Sequence, residues 1–214
     1  MIKLCLIGKN ISHSRSPEIY KALLHEELQY DLLDFKSSDQ IPPAKELLEK
    51  YTGVSITSPY KRHFLDQVEL NDEVRELGAI NCLYHENGKM KGANTDWEAL
   101  QKLFPNHVHS QVAILGSGAM SKLFQIYLKK KQIPYVVYER KIHGDLNQID
   151  YKDFGLIINC CSRDFNFSNE LLPQNTFWDM NYSMIHQGII PNYFDGTKLL
   201  ELQAHYALEH WSLL

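Results

Sequence analysis

The feature of this sequence that most constrains its fold is the alternation of short strand-like runs with longer helix-like runs. Residues 3–7, 30–35 and 53–57 have the apolar, β-branched character of strands, and helix-like runs at 17–27 and 41–51 separate them. Strands that alternate with helices predict a parallel or mixed sheet covered by helices, because parallel neighbours need a crossover connection. The sequence therefore predicts an α/β protein.

The same alternation starts again after a segment rich in Pro, Asn and His at residues 105–110, which is typical of a linker. A buried strand, a glycine turn, a helix and two further strands follow, which predicts a Rossmann-like, doubly wound dinucleotide domain. We therefore expect a substrate-binding and catalytic domain at residues 1–97 and 196–214, and a dinucleotide domain at 98–195. The helical tail of the chain is expected to pack back on the first domain.

Charge and composition exclude several classes of function. The 22 basic and 26 acidic residues are interspersed, so neither a nucleic acid nor a membrane surface is an expected partner. No apolar run approaches the ~20 residues of a membrane span. The apolar stretch in the first residues is shorter than a signal peptide requires. We expect a cytoplasmic protein, either a monomer or a homodimer.

Cysteine and histidine positions give no sign of a metal site. Cys5, Cys82, Cys160 and Cys161 have neither metal-ligand spacing nor a disulfide pattern, and we interpret them as buried thiols. The ten histidines also lack ligand spacing. The sequence therefore predicts that no metal is bound.

Two short polar segments carry the candidate catalytic groups. GVSITSPYK (residues 53–61) and GANTDW (residues 92–97) place Lys61 and Asp96 among hydroxyls and amides after strand-like runs. A lysine with an aspartate nearby can exchange a proton near neutral pH, and the small residues let a polar ligand approach the backbone. Each residue also has a non-catalytic alternative. Lys61 can be a solvated lysine after a proline turn, and Asp96 can be the N-cap of a helix.

A glycine turn is the candidate cofactor site. Gly116 and Gly118 fill the first two positions of the dinucleotide fingerprint between a strand and a helix, and Ser121 stands at the third. A structural turn without cofactor is the alternative. At the end of the next strand, Glu139 favours the ribose hydroxyl of NAD, whereas Arg140 and its neighbour Lys141 favour the phosphate of NADP.

Taken together, these segments resemble the shikimate dehydrogenase family. Four segments of the first half are similar to motifs of the family. ISHSRSP (residues 11–17) is similar to its serine loop, and GVSITSPYK corresponds to its motif GVNVTIPHK. LGAINCL (residues 77–83) corresponds to IGAVNTL, and GANTDW corresponds to GDNTDG. The second half is similar in GSGAM beside GAGGA, YERK beside NRT, LIINCC beside LIINAT, DMNYS beside DMVYNP, and the closing helix.

The resemblance implies reversible reduction of 3-dehydroshikimate to shikimate with NADPH, in the pathway to chorismate and the aromatic amino acids. It implies that Lys61 and Asp96 are the catalytic pair. The implied substrate contacts are Ser14, Ser16, Thr57, Asn81, Asn94, Tyr182 and Gln203. The implied contacts to NADP, with NAD as the alternative, are Gly116, Ser117, Gly118, Ala119, Glu139, Arg140, Lys141 and Cys160.

The sequence departs from the family pattern at several positions, and these keep two other functions open. Ser55 replaces an Asn, Trp97 a Gly, Ala119 a Gly, Glu139 an Asn and Cys161 a Thr. Glu139 is compatible with an NAD-dependent quinate/shikimate dehydrogenase. Trp97 and the altered glycine turn are compatible with a non-catalytic relative that binds shikimate-like ligands.

Overall fold

The structure is a computed structural model that describes residues 1–24, 27–105, 111–162, 164–181, 190 and 192–214. The chain divides into two compact units, Met1–Lys102 with Leu199–Leu214, and Leu103–Lys198. Each unit contains a five-stranded sheet. The predicted α/β class is therefore confirmed.

Strands and helices alternate along most of the chain. The strands are β1 (Ile2–Gly8), β2 (Leu28–Asp34), β3 (Gly53–Ile56), β4 (Cys82–Glu86), β5 (Lys89–Ala93), β6 (Val112–Leu115), β7 (Tyr135–Tyr138), β8 (Leu156–Asn159), β9 (Thr176–Asp179) and β10 (Tyr193–Asp195). The helices are α1 (Ser16–Leu24), α2 (Ala44–Lys50), α3 (Asp72–Leu77), α4 (Thr95–Leu103), α5 (Ala119–Lys130), α6 (Arg140–His143) and α7 (Thr197–His210).

The sheet of the first unit is mixed, in the order β2-β1-β3-β4-β5. β1 is parallel to β2 and β3, whereas β4 is antiparallel to β3 and β5. Asn87 and Gly88 form the turn between β4 and β5 with φ values of 52° and 75°, the positive values that a two-residue type I′ hairpin turn requires. The carboxyl ends of β1, β3 and β5 therefore lie at the same edge as the amino end of β4.

Both faces of this first sheet are buried. On one face Cys5 and Ile7 of β1 join a cluster that includes Leu47 of α2, and on the other Leu4 packs with residues of α1 and α7. The alternation along β1 is the expected period of two for a strand covered on both faces. The closing helix α7 packs on the first sheet, as the sequence predicts.

Trp211, which follows α7, fixes that helix on the sheet. Its indole Nε1 donates to the carbonyl oxygen of Leu83 over 2.9 Å. The indole ring also lies where a Cβ atom on Gly53 would lie, so only glycine fits at that position of β3. The glycine at the start of the GVSITSPYK segment therefore serves packing against α7.

The sheet of the second unit is fully parallel, in the order β10-β9-β8-β6-β7. The chain leaves β6 through α5 to β7 on one side and later adds β8 on the other side of β6. The direction of winding thus reverses between β6 and β8, and ligands of open α/β sheets bind outside the carboxyl ends of strands at such a point. The doubly wound architecture of this unit agrees with the sequence prediction.

The structure adds elements that the sequence patterns do not predict, namely α6, β9 and β10. Helix α2 begins later than predicted, because Pro43 occupies its N-cap position with an extended ψ of 154°. Residues 106–110 of the predicted linker lie outside the described residues.

Candidate active site and nucleotide site

The candidate catalytic residues lie at the shared edge of the first sheet. The ends of β1, β3, β4 and β5 are aligned at this edge. Ile7 pairs with Ile56, Ser55 pairs with Cys82, and Cys82 pairs with Ala93. The candidate side chains follow β1, β3 and β5 or precede β4, in the order Ser14, Ser16, Thr57, Lys61, Asn81, Asn94 and Asp96. Strand topology therefore gathers residues that are up to about eighty positions apart in sequence.

Lys61 and Asp96 form a close ion pair. Lys61 Nζ lies 2.6 Å from Asp96 Oδ2, and the two side chains are 19% and 13% exposed. Asp96 stands in the first turn of α4, where the helix dipole stabilises a carboxylate. A partly buried pair that still reaches solvent can hold a proton and pass it to a ligand.

The turn that carries Lys61 is anchored by its neighbour. Tyr60 is buried, and its hydroxyl donates to the carbonyl oxygen of Phe35 over 2.8 Å. The carbonyl oxygen of Lys61 itself accepts from the Ile80 N–H over 2.8 Å. These contacts fix the backbone of Lys61 on both sides, so that its ammonium group is held close to Asp96.

A buried network of amides and hydroxyls surrounds Thr95. Asn81 Oδ1 accepts from the Thr95 N–H over 2.7 Å and lies 3.2 Å from its hydroxyl, which is also 3.2 Å from Gln203 Oε1. Asn94 Oδ1 accepts from the Trp97 N–H, which caps α4. The network connects β4, α4 and α7, so it brings Asn81 and Gln203 together although they are far apart in sequence.

The loop between β1 and α1 is held by an aspartate that the sequence motifs do not indicate. The carboxylate of Asp34 accepts from the backbone N–H groups of Asn10 and Ile11, over 2.9 and 3.1 Å. Within the loop, Ser14 Oγ donates to Ser16 Oγ over 3.1 Å. The structure therefore places the two candidate serines side by side.

Trp97 is buried, with 2% of its surface exposed. The structure thus favours its interpretation as core packing at the start of α4 over stacking on a ligand ring. Tyr182, a candidate substrate contact, lies outside the described residues.

The glycine turn lies at the switch between β6 and β8. Gly116 has a φ of +94°, and a Cβ atom there would lie 3.0 Å from the carbonyl oxygen of Cys160. The turn at the end of β6 thus packs directly on the backbone that follows β8. Ser121, at the third fingerprint position, is fully buried and its hydroxyl accepts from Gln125.

The start of α5 fits a bound pyrophosphate. Gly118 is its N-cap with no side-chain cap hydrogen bond, and a Cβ atom there would meet nothing within 4 Å. Ser117 and Ala119 on either side are exposed. The first N–H groups of this helix therefore have no side-chain cap, and the space beside Gly118 is open, an arrangement that can bind phosphate groups at a helix N-terminus.

The charged residues after β7 differ in their surroundings. Arg140 is exposed, and its guanidinium donates to Ser162 Oγ over 3.2 Å. The backbone N–H of Glu139 donates to His143 Nδ1 over 3.0 Å, which closes the short helix α6 on itself. Lys141 is exposed. Arg140 and Lys141 are thus available cations, the chemistry that a ribose phosphate requires.

Cys160 meets the glycine turn through its backbone. Burial raises the pKa of its thiol well above the usual range, so the side chain is a neutral, apolar group. The four cysteines are free thiols, with Cys5 and Cys82 buried and Cys160 and Cys161 partly buried.

Comparisons with known proteins identify the family of this chain. A family model described as shikimate dehydrogenase substrate binding domain matches residues 6–83. A shikimate dehydrogenase (NADP(+)) of Caldicellulosiruptor bescii is 30% identical in an alignment that covers 99% of this chain and 89% of the relative. The chain belongs to the shikimate dehydrogenase family.

Matches to other shikimate dehydrogenases are shorter. The shikimate dehydrogenase (NADP(+)) of Clostridium beijerinckii is 32% identical over 65% of this chain and 56% of the relative. The shikimate dehydrogenase of Thermotoga petrophila is 28% identical over 56% of this chain and 48% of the relative. In these alignments the chain spans about half the length of the relatives it matches.

Solved shikimate dehydrogenases share the fold. The structure from Aquifex aeolicus has a TM-score of 0.75 at 22% identity, and covers 99% of this chain and 92% of the other. The structure from Thermus thermophilus, in complex with NADP(H) and shikimate, has a TM-score of 0.74 at 19% identity, and covers 100% and 94%. At these identities the likeness shows a common architecture.

Neither a metal cluster nor a membrane-spanning helix is found among the described residues. No group of three or more of their His, Cys, Asp or Glu side chains is placed to hold a metal ion. None of the described helices has the length and apolar character needed to span a bilayer.

Proposed function

We propose that this protein is a shikimate dehydrogenase that reversibly reduces 3-dehydroshikimate to shikimate with NADPH. The observation that carries the proposal is the 2.6 Å contact between Lys61 and Asp96 at the shared sheet edge. Two serines and a network of amides stand at that same edge, as a polyhydroxylated carboxylate requires. The family relationship supports the choice of substrate.

Lys61 is the proposed general acid and base. Reduction of a ketone places negative charge on its oxygen, and a proton donor within about 3 Å stabilises that charge. We assign the donation to Lys61 Nζ, and the reverse reaction returns the proton from the hydroxyl to the same nitrogen. Asp96 orients the ammonium group and stabilises its charge. Bound NADPH supplies the hydride.

The substrate shell is assigned by its hydrogen-bonding chemistry. Ser14 and Ser16 are proposed to donate to the carboxylate. Asn81 has its oxygen occupied by the N–H of Thr95, which leaves its amino group as the donor for a substrate hydroxyl. The other proposed contacts to the ring hydroxyls are Thr57, Asn94, Tyr182 and Gln203.

The nucleotide is assigned to the second unit. The uncapped start of α5, with Gly116, Ser117, Gly118 and Ala119, is proposed to hold the pyrophosphate. Arg140 and Lys141 are proposed to bind the 2′-phosphate of NADP, with Glu139 turned away from it and Cys160 lining the turn through its backbone. The proposal retains a cytoplasmic location, a monomer or homodimer, and a role in chorismate biosynthesis.

Purified protein is tested with shikimate or quinate and with NADP or NAD, by the absorbance of the reduced nicotinamide. We expect turnover with shikimate and NADP. Turnover with NAD and quinate instead supports the NAD-dependent quinate/shikimate dehydrogenase. Shikimate binding without turnover on either cofactor supports a non-catalytic relative, although the burial of Trp97 removes one argument for that alternative.

Lys61→Ala tests the catalytic role. We expect kcat to fall by about 10²- to 10⁴-fold, the usual contribution of general acid–base catalysis, with a smaller effect on shikimate affinity. Lys45→Ala is the matched control, because Lys45 is an exposed lysine on α2 whose ion pair with Glu49 lies at the surface. A kcat for Lys61→Ala equal to that of the control would contradict the assignment.

A further inference from the structure

A buried carboxylate lies at the same edge of the second sheet as the glycine turn. Asp179 is the last residue of β9 and is 2% exposed. It pairs with Asn159, the last residue of β8, which is 1% exposed and in turn pairs with Leu115 at the end of β6. A charge buried this deeply requires hydrogen bonds that replace its lost water. The neighbours of Asp179 therefore decide what it does.

Donor groups of Asn159, Asn181 and Tyr193 surround the carboxylate of Asp179. Its Oδ1 accepts from Asn159 Nδ2 over 2.9 Å, and from the N–H and the Nδ2 of Asn181 over 3.0 Å each. The hydroxyl of Tyr193 donates to Oδ2 over 3.4 Å. A carboxylate accepts hydrogen bonds and donates none, so it binds only the amino group of a neighbouring amide. Asp179 thereby fixes the direction in which the oxygen of Asn159 points.

The oriented amide of Asn159 holds the backbone that follows β8. Its Oδ1 accepts from the Cys161 N–H over 3.1 Å. The peptide bond between Cys160 and Cys161 is the group that lies nearest to Gly116, since a Cβ atom on Gly116 would lie 3.0 Å from the carbonyl oxygen and 3.1 Å from the nitrogen of that bond. A chain of hydrogen bonds thus runs from Asp179 through Asn159 to the backbone on which the glycine turn packs.

We propose that Asp179 and Asn159 are positioning residues for the nucleotide, because they hold the peptide bond against which the glycine turn packs. This inference rests on the proposed function, since it needs the pyrophosphate to bind at the glycine turn. The N–H groups at the start of α5 bind a phosphate only when they point at its oxygens, because hydrogen bonds weaken steeply as their angle falls. A shift of the supporting peptide bond moves the turn and misaligns these donors.

The sign of the effect distinguishes positioning from a simple effect of charge. NADP carries several negative charges, so removal of the Asp179 charge strengthens NADP binding if the carboxylate acts only through its electric field. If the carboxylate orients Asn159, its removal weakens NADP binding, because a hydrogen bond to a charged acceptor is about twice as strong as one to a neutral acceptor. The two roles therefore predict opposite changes in affinity.

Asp179→Asn removes the charge and keeps the shape of the side chain. We expect the Kd for NADP to rise about 3- to 10-fold, the effect of losing one net hydrogen bond, in titration calorimetry on the full chain. The Kd for NAD should rise by the same factor, because both cofactors contain the pyrophosphate. Asp150→Asn is the matched control, since Asp150 Oδ1 also accepts from the N–H two residues ahead, that of Lys152 over 3.0 Å, but its side chain is 66% exposed. The control should leave both constants unchanged.

Asn159→Ala breaks the same chain of hydrogen bonds at its next member. It should raise the Kd for NADP in the same direction, and it provides the test if Asp179→Asn does not fold. Because both residues act through one hydrogen bond, the double variant should bind NADP within about 2-fold of the weaker single variant, rather than with the product of the two factors. A general structural effect does not produce this non-additivity. Thermal unfolding shows which variants are folded.

The outcomes are distinct. Unchanged or tighter NADP binding by folded Asp179→Asn overturns the positioning role, and so does a double variant whose effect is the product of the single effects. Weaker binding of NADP alone, with that of NAD unchanged, also overturns it, because the effect then lies at the 2′-phosphate. In each of these cases wild-type turnover still supports the proposed function. Wild-type protein that binds neither NADP nor NAD overturns the proposed function and this inference with it.

Discussion

Gly116 occupies a backbone conformation that residues with a side chain rarely adopt. Its φ is +94°, and the atoms nearest to a new Cβ belong to the backbone of Cys160 and Cys161, which cannot rotate away. We expect Gly116→Ala to lower the free energy of unfolding by about 1–3 kcal/mol, the cost of such backbone strain. Urea unfolding followed by circular dichroism measures it.

Gly118→Ser is the control for that substitution. Gly118 has a φ of −72°, open space around its Cα atom and an N-cap position that serine favours. Its free energy of unfolding should stay within about 0.5 kcal/mol of wild type. Equal stability of Gly116→Ala and Gly118→Ser would show that the turn is not strained as described.

Local motifs indicate the candidate site residues, but they do not indicate the residues that hold those candidates in place. Lys61 and Asp96 lie in recognisable segments, and the structure brings them to 2.6 Å. Asp34 and Tyr60 hold the serine loop and the lysine turn through contacts across the sheet. Local spacing carries no signal for such long-range partners. The one indication in the sequence is position, because Asp34 stands at the end of a strand-like run and Tyr60 stands beside the candidate lysine.

Among the elements, α7 is attached to the first sheet by its own buried residues and by Trp211, which follows it. Trp211 packs on Tyr20, and its indole bonds to Leu83. His210 Nε2 lies 2.9 Å from Glu98 Oε1 on α4, but this pair is partly exposed and contributes little. The indole therefore adds a large contact and a hydrogen bond to the attachment that the buried residues Ala204, Ala207 and Leu208 of α7 provide.

We expect Trp211→Ala to lower the free energy of unfolding by about 3–5 kcal/mol, the usual cost of deleting a buried tryptophan. Leu214→Ala, at a position 59% exposed on the same terminal segment, should change it by less than about 0.5 kcal/mol. Urea midpoints compare the two variants. Coinciding midpoints would mean that α7 is held by other contacts.

The presence of an apolar run explains which elements the sequence predicted. Strands β1, β3, β6 and β8 are apolar runs bounded by turns, and α7 spans fourteen residues of helical composition. β10 has only three residues, and β9 is as long as β3, β6 and β8 but contains a single apolar pair, Phe177 and Trp178, rather than an apolar run. They add to the sheet through tertiary pairing with β8 and its neighbours, which a local pattern does not contain.

For the molecule as a whole, the proposed substrate and cofactor contacts lie largely in different units, so the binding of each ligand can be predicted and tested separately. The proposed proton-transfer pair lies in the first unit and the glycine turn in the second. A ligand that binds only the folded state adds about 2.7 kcal/mol of stability at a concentration of about 100 Kd. Binding of either ligand can therefore be followed by thermal unfolding, without catalysis.

Arg140→Ala tests the basis of cofactor choice. The exposed guanidinium of Arg140 is the cation proposed to bind the 2′-phosphate, so its removal should weaken NADP binding by about 10- to 100-fold, the value of a hydrogen bond to a charged group. NAD lacks that phosphate, and its affinity should be unchanged. Titration calorimetry on the full chain gives both constants.

The control must remove the same charge elsewhere on the second unit. Lys129 lies in the last turn of α5, at the opposite end of the helix from the glycine turn, and is exposed. Lys129→Ala should leave NADP affinity within about 2-fold of wild type, since exposed charges beyond a Debye length are screened. Equal weakening of NADP and NAD binding by Arg140→Ala would contradict the assignment, because it would mean that Arg140 stabilises the turn after β7 rather than binding the 2′-phosphate. Lys141 would then be the cation that distinguishes the two cofactors.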